Sequence, residues 1–396
     1  MDGFTKNMIR GDILMEKEHF YFSLDERDRR WKEIREEMAK AEIDVMVIQG
    51  YEPSVRYIAN TNWVIEMEHV IFPLAGDPVI ILHGKDWKHI NCDWIKNFEL
   101  IDGTDDQIAR IAKKFYNGNN VGYLRGSGQG VGNNYLQHHL YIQMQTAFQE
   151  KLIFADHLFV KVMQVASPEE QECLRRSAVI CDMALHHVLE SCTNAGTLDY
   201  AICADVMKIY YDNGNDGHQM LWIEPGADDN IGYGRPYGKR LAKGSSFVIE
   251  FAPGYNGYES EIVFSLPVDN KMSDFLREKY KIWQEAFYIG KEKLVVGNRA
   301  CDVAHAIQNV YEKYGIGFRP DYGHGVGIGC CMGWGISTFD KTELRPNMPV
   351  VLHPKITDSN NQGVFSGMHY ILKEDGLERI GGYNYEEFVD KMIKEW

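Results

Sequence analysis

The sequence predicts a chain of two domains, a small α/β domain followed by a larger α+β half. Three observations carry this prediction. The chain of 396 residues is longer than one ordinary core organises. Helical and strand-like patterns alternate up to about residue 160. A complete helix-start signal, Ser167-Pro168-Glu169-Glu170, then opens a second run of elements, which places the boundary at 1–165 and 166–396.

Taken in order, Leu24–Ala41 has the apolar spacing of an amphipathic helix, and Ile43–Gln49 (IDVMVIQ) reads as a buried strand. Val70–Leu74 and Pro78–Leu82 are two further strands, with Gly76-Asp77 between them as a hairpin turn. In the second half Ser167 is the N-cap, Pro168 takes the first helical position and Glu170 completes a capping box. The helix that follows carries Leu174, Ala178, Cys181 and Leu185 on one face. Helices are expected near 197–213, 272–295 and 300–314, with strands at 219–224, 246–252, 258–266, 349–353 and 368–373.

Composition excludes several classes. A formal net charge of −15 repels a phosphate backbone, so no nucleic-acid partner is expected. No apolar run reaches the length of a membrane span, and the N-terminus lacks the apolar stretch of a signal peptide. The cysteines are scattered without a C-x-x-C pair, which suits reduced thiols and a cytoplasmic protein. Adjacent Cys330 and Cys331 read as small apolar fillers.

Three segments carry the candidate chemistry. Phe247–Glu261 reads as strand, glycine-rich turn and returning strand, which brings Glu250 back towards Glu261. Paired carboxylates serve either as hard metal ligands or as an acid/base pair. Tyr322–Gly327 frames His324 with glycines, so that the backbone approaches closely and the imidazole is left unobstructed. Leu344–Pro354 is a turn followed by a buried strand that ends in His353.

The order and spacing of these segments resemble the creatinase/prolidase/methionine-aminopeptidase family (M24), whose catalytic domain has the "pita-bread" fold. In that family a D-x(10)-D hairpin, a G-H-G-x-G turn, an L-x-P-G-M-x-x-x-x-E-P strand and a final E-D strand build a two-metal site in the peptidases. Glu250 and Glu261 fall on the two aspartates, His324 on the histidine, His353 on the first glutamate and Gly367 on the last. Gly257-Tyr258, Pro346, Met348, Pro354 and Glu374-Asp375-Gly376 hold the frame. The stretches RWKEIREEMAKAEIDVMVIQ and SVRYIANTNW resemble the N-terminal domain of creatinase. The resemblance implies a homodimer in which Arg56, Trp63 and Glu66 reach the neighbouring subunit's site.

The departures are informative. Losing the second bridging carboxylate at Gly367 argues against two ions, which need such bridges to offset their mutual repulsion. The expectation is therefore a centre without cofactor, the alternative being one divalent ion on Glu261, His324 and His353. Creatinase, a metal-free member, uses a histidine shuttle where this chain has Tyr233, with His218 upstream. Phe264 stands where an arginine is common. Asp228, Trp222, Tyr237, Phe251, Tyr258 and Trp334 are the remaining candidates for the substrate pocket, with Arg56 and His218. Rings and carboxylates together suit a small zwitterionic or cationic compound.

The leading expectation is a metal-independent, creatinase-like hydrolase or lyase cleaving a C–N or C–S bond. In it His324 and His353 act as acid/base groups, Tyr233 as proton donor, and Glu250 and Glu261 bind the cation or activate water. The alternatives are a mononuclear-metal, Xaa-Pro-peptidase-like hydrolase or lyase, and an inactive ligand- or protein-binding member of the fold.

Overall fold

The computed structural model describes residues 19–49, 52–61, 69–82, 94–127, 134–216, 220–226, 231, 234–329 and 333–396. Tyr233, Asp228, His218, Trp63, Glu66, Cys330 and Cys331 lie outside the described residues. Two compact units are present, Phe20–Gln164 and Val165–Trp396, and His19 groups with the second. No helix among the described residues is long and apolar enough to cross a membrane.

The first unit is built on a six-stranded mixed sheet. Helix α1 (Leu24–Lys40) starts at Ser23, whose hydroxyl accepts from the Glu26 amide at 3.1 Å. Strand β1 (Ile43–Ile48) is buried along its whole length. It pairs antiparallel with β2 (His69–Pro73) and parallel with β3 (Asn120–Leu124). Burial on both faces explains why Val45–Ile48 reads as a continuous apolar run rather than an alternating one. The hairpin at Gly76-Asp77 forms, with Gly76 at φ 97°, a value only glycine adopts without strain. Arg56 is buried inside this unit, in the last turn of α2 (Glu52–Ala59).

In the second unit α3 (Pro168–His187) begins with the expected capping box: the Glu170 amide donates to Ser167 Oγ and the Ser167 amide to Glu170 Oε2. Ser177 on this helix donates its hydroxyl proton to the Pro253 carbonyl at 2.7 Å and accepts from the Ser260 amide at 2.9 Å. Those two bonds interrupt the strand expected over 258–266. Tyr258-Glu259 turns back onto Gly254-Tyr255 through Asn256-Gly257, and the long strand resumes only at Ile262. Both turn residues have positive φ (49° and 77°), as an Asn-Gly hairpin requires.

Strand β4 (Ser246–Ala252) is the centre of a three-stranded sheet between β5 (Ile262–Pro267) and β6 (Met220–Pro225). A second sheet runs β7 (Gly323–Gly325), β8 (Pro349–Leu352), β9 (Met368–Lys373), β10 (Gly376–Arg379). The two sheets meet at Val263 and Gly367, which exchange backbone hydrogen bonds of 2.8 and 3.1 Å. Helix α4 (Asp274–Lys293) fixes that seam. Its Tyr280 hydroxyl donates to the Ser265 carbonyl at 2.6 Å, and the Trp283 indole N–H donates to the Ser366 carbonyl at 2.7 Å. Glu261, His324 and His353 come together near this junction.

Candidate functional site

Alternation along the first sheet sorts the candidates. Glu250 lies opposite Val263 on one side and Trp222 on the other, and residues directly opposite share a face. Trp222, Glu224, Glu250, Val263 and, two residues before Val263, Glu261 therefore project to one side. Phe251, expected in the pocket, projects to the other and is fully buried. It belongs to the core.

On the second sheet His324 pairs with Val351, and His353 lies two residues further along the same face. The imidazoles meet with ring centres 5.0 Å apart and planes at 68°. Between them sits the carboxylate of Glu261, wholly buried, with one oxygen 3.5 Å from His324 Nε2 and the other 3.5 Å from His353 Nε2. His324 Nδ1 lies 3.2 Å from the Gly325 carbonyl oxygen. If that nitrogen carries the proton, the Nε2 lone pair faces Glu261. A lone pair facing a carboxylate in a dry site needs a cation between them, either a proton or a metal ion.

The spacing fits one ion. A direct N–H···O bond spans about 2.7–3.2 Å, whereas ligand atoms around a tetrahedral ion with bonds of roughly 2.0–2.1 Å stand about 3.4 Å apart. All three donor atoms lie within 4.8 Å of one another. A side chain bridging from position 367 does not fit. A Cβ at Gly367 would come within 2.2 Å of His353 Cβ and 2.3 Å of the Leu352 carbonyl oxygen, so the space of a bridging side chain is filled by the neighbouring strand. Gly323 and Gly325 are also closed in. A Cβ would sit 2.3 Å from the Val351 carbonyl oxygen at the first, and 2.0 Å from Trp334 Nε1 at the second. The glycines around His324 thus let strands and an indole pack against the backbone.

The other expected pocket residues divide between packing roles and the Glu250 face. Trp334 is buried behind Gly325. The Tyr258 hydroxyl donates to Glu170 Oε1 at 2.8 Å, tying the hairpin to the capping box. Tyr237 is 53% exposed, its hydroxyl 3.2 Å from Glu224 Oε1. Trp222 is half-buried on the Glu250 face.

Residues that sequence reasoning did not single out complete the surroundings. His369, on β9 directly opposite Val351, has its pKa pushed down to about 4 by burial and stays neutral, with Nε2 3.2 Å from the Ile380 carbonyl oxygen. Lys355 follows His353 by two residues. Burial first, and then the Arg319 charge, push its pKa down to about 8, against the opposing field of Glu250. Arg319 donates to Thr357 Oγ1 and, at 3.1 Å, to Asn361 Oδ1. The two-residue spacing of His353 and Lys355 in an extended segment was the available signal for the lysine.

The segment 172–387 matches the metallopeptidase family M24, and the chain belongs to that family. It is 27% identical over 219 residues to the Xaa-Pro dipeptidase of Pyrococcus furiosus, a match covering 54% of this chain and 62% of the relative; the chain thus spans about three fifths of that relative's length. It is 22% identical over 383 residues to a Bacillus creatinase, covering 91% of each. Among solved structures, the Xaa-Pro dipeptidase of Bacillus anthracis superposes with a TM-score of 0.74 at 20% identity, over 89% of this chain and 97% of that one. This likeness supports the pita-bread, mixed α/β architecture.

Proposed function

We propose that the chain is a hydrolase of C–N bonds in small zwitterionic or cationic compounds, working from one divalent ion on Glu261, His324 and His353. The observation that carries this reading is the pair of 3.5 Å approaches of two imidazoles to the two oxygens of one buried carboxylate. This revises the expectation of a cofactor-free centre in favour of its one-ion alternative. A bound ion would lower the pKa of water and polarise the scissile group. Glu250, buried on β4, would take a proton from the attacking water and return it to the departing nitrogen. Glu224, Trp222 and Tyr237 form the acidic and aromatic edge that would receive the cationic end of the substrate. The reading takes the protein as a homodimer; Arg56, buried inside its own unit, is not the residue that reaches the neighbouring subunit.

The test is turnover of Xaa-Pro dipeptides, N-methylated guanidines and betaines by chelator-stripped protein, with and without added Zn²⁺ or Mn²⁺. Cleavage restored by metal and abolished in Glu261→Gln is expected. Full turnover after chelation would favour the second reading, a metal-free mechanism of the creatinase kind, which the match to creatinase along 91% of both chains supports. Binding without turnover across the panel would contradict both.

A further inference from the structure

A cation of the protein's own lies close to the site. Lys355, on the short strand Lys355–Thr357, stands directly opposite Phe365 in the ladder, so the two side chains share a face. Its Nζ lies 5.6 Å from the Phe365 ring centre and donates to the Ile231 carbonyl. Phe365 and Ile231 pack in turn on Val248 and Val263, which project from the same face as Glu250. The Phe365 ring also touches His353, with centres 5.3 Å apart. Through Phe365 and Ile231 the ammonium is tied to the strand face that carries Glu250, while both imidazoles approach Glu261. Glu250 is buried, and a nearby positive charge favours the ionised form of a buried carboxylate.

We propose that the Lys355 ammonium is a tethered replacement for the second ion of a two-metal centre: it neutralises Glu250 and limits the site to one exchangeable ion. Only the ion count rests on the function proposed above, since the pairing of Lys355 with Glu250 is testable without metal. Lys355→Met, Glu250→Gln and the double variant are melted after chelation. Paired groups require the double variant to melt higher than the two single losses add up to, within about 2 °C of the milder single variant. Should Lys355→Met not fold, the double variant is still expected to fold, because neutralising both groups removes each one's need for the other. Additive losses, or failure of both, overturn the inference. In the second arm, chain saturated with Zn²⁺ is analysed for metal. Wild type and Lys355→Arg are expected to hold one ion per chain, and Lys355→Met to accept a second, weaker one. Two tight ions in wild type overturn the inference. A wild type with no ion sinks the one-ion centre but leaves the thermal cycle to decide the pairing.

Discussion

Two wholly buried carboxylates in the second unit, Glu261 and Asp182, are served in opposite ways. Asp182, on α3, is held by neutral donors at hydrogen-bonding distance, the Gly382 amide at 2.6 Å and the Tyr385 hydroxyl. With no cation among these donors, burial raises its pKa to about 7. Glu261 instead faces two imidazoles, each 3.5 Å away, beyond the length of a direct bond. A carboxylate that only fastens structure closes on its donors. On the proposed function, the longer distance at Glu261 is the room for a cation between it and its partners.

This contrast can be broken at either site. The largest effect is expected from Glu261→Gln, which removes the charge between the imidazoles: kcat/KM should fall by about a thousandfold or more while the circular dichroism spectrum is retained. His353→Ala should cost nearly as much activity and also release bound metal, read by elemental analysis.

Gly367→Ala comes next, as a stability effect. The added Cβ would meet His353 and the Leu352 carbonyl, so a loss on the order of 3 kcal/mol is expected in denaturant unfolding. A neutral result would mean that the two sheets can part there, which would reopen the case for a bridging ligand.

At Asp182 the prediction concerns pH. Its folded pKa, about 7, lies above the ordinary carboxylate range. The folded chain therefore holds a proton that the unfolded chain releases at lower pH. The resulting stability is complete below about pH 4 and is lost as pH rises through about 7. Asp182→Asn should flatten the stability–pH slope in that window, and an unchanged slope would remove Asp182 as its source. The smallest effect is expected from Tyr385→Phe, which deletes one buried hydrogen bond to Asp182 and should cost about 1–2 kcal/mol.

How much of this was legible in the sequence follows from the range of the forces involved. The capping box at Ser167 and the hairpin at Gly76 were readable because each is decided by a few neighbouring residues. The meeting of Glu261, His324 and His353 was legible through motif order, although they come from three separate segments. Phe251 was misplaced because its chemistry was weighed without the two-residue alternation that sends it away from Glu250. Tyr258 and Trp334 were misplaced because their partners, Glu170 and Gly325, are set by tertiary packing. The break at Ser260 depends on bonds to α3 more than eighty residues earlier in the chain, which no local pattern contains. Lys355 and Asp182 are ordinary charged residues locally, and only burial makes them consequential.

On the proposed function, Glu261, His324 and His353 together hold a single cation. Calorimetric titration of chelator-stripped protein with Zn²⁺ tests it most directly. One site per chain, lost in Glu261→Gln, is the predicted result. Two equivalent tight sites, or binding indifferent to that substitution, would contradict it.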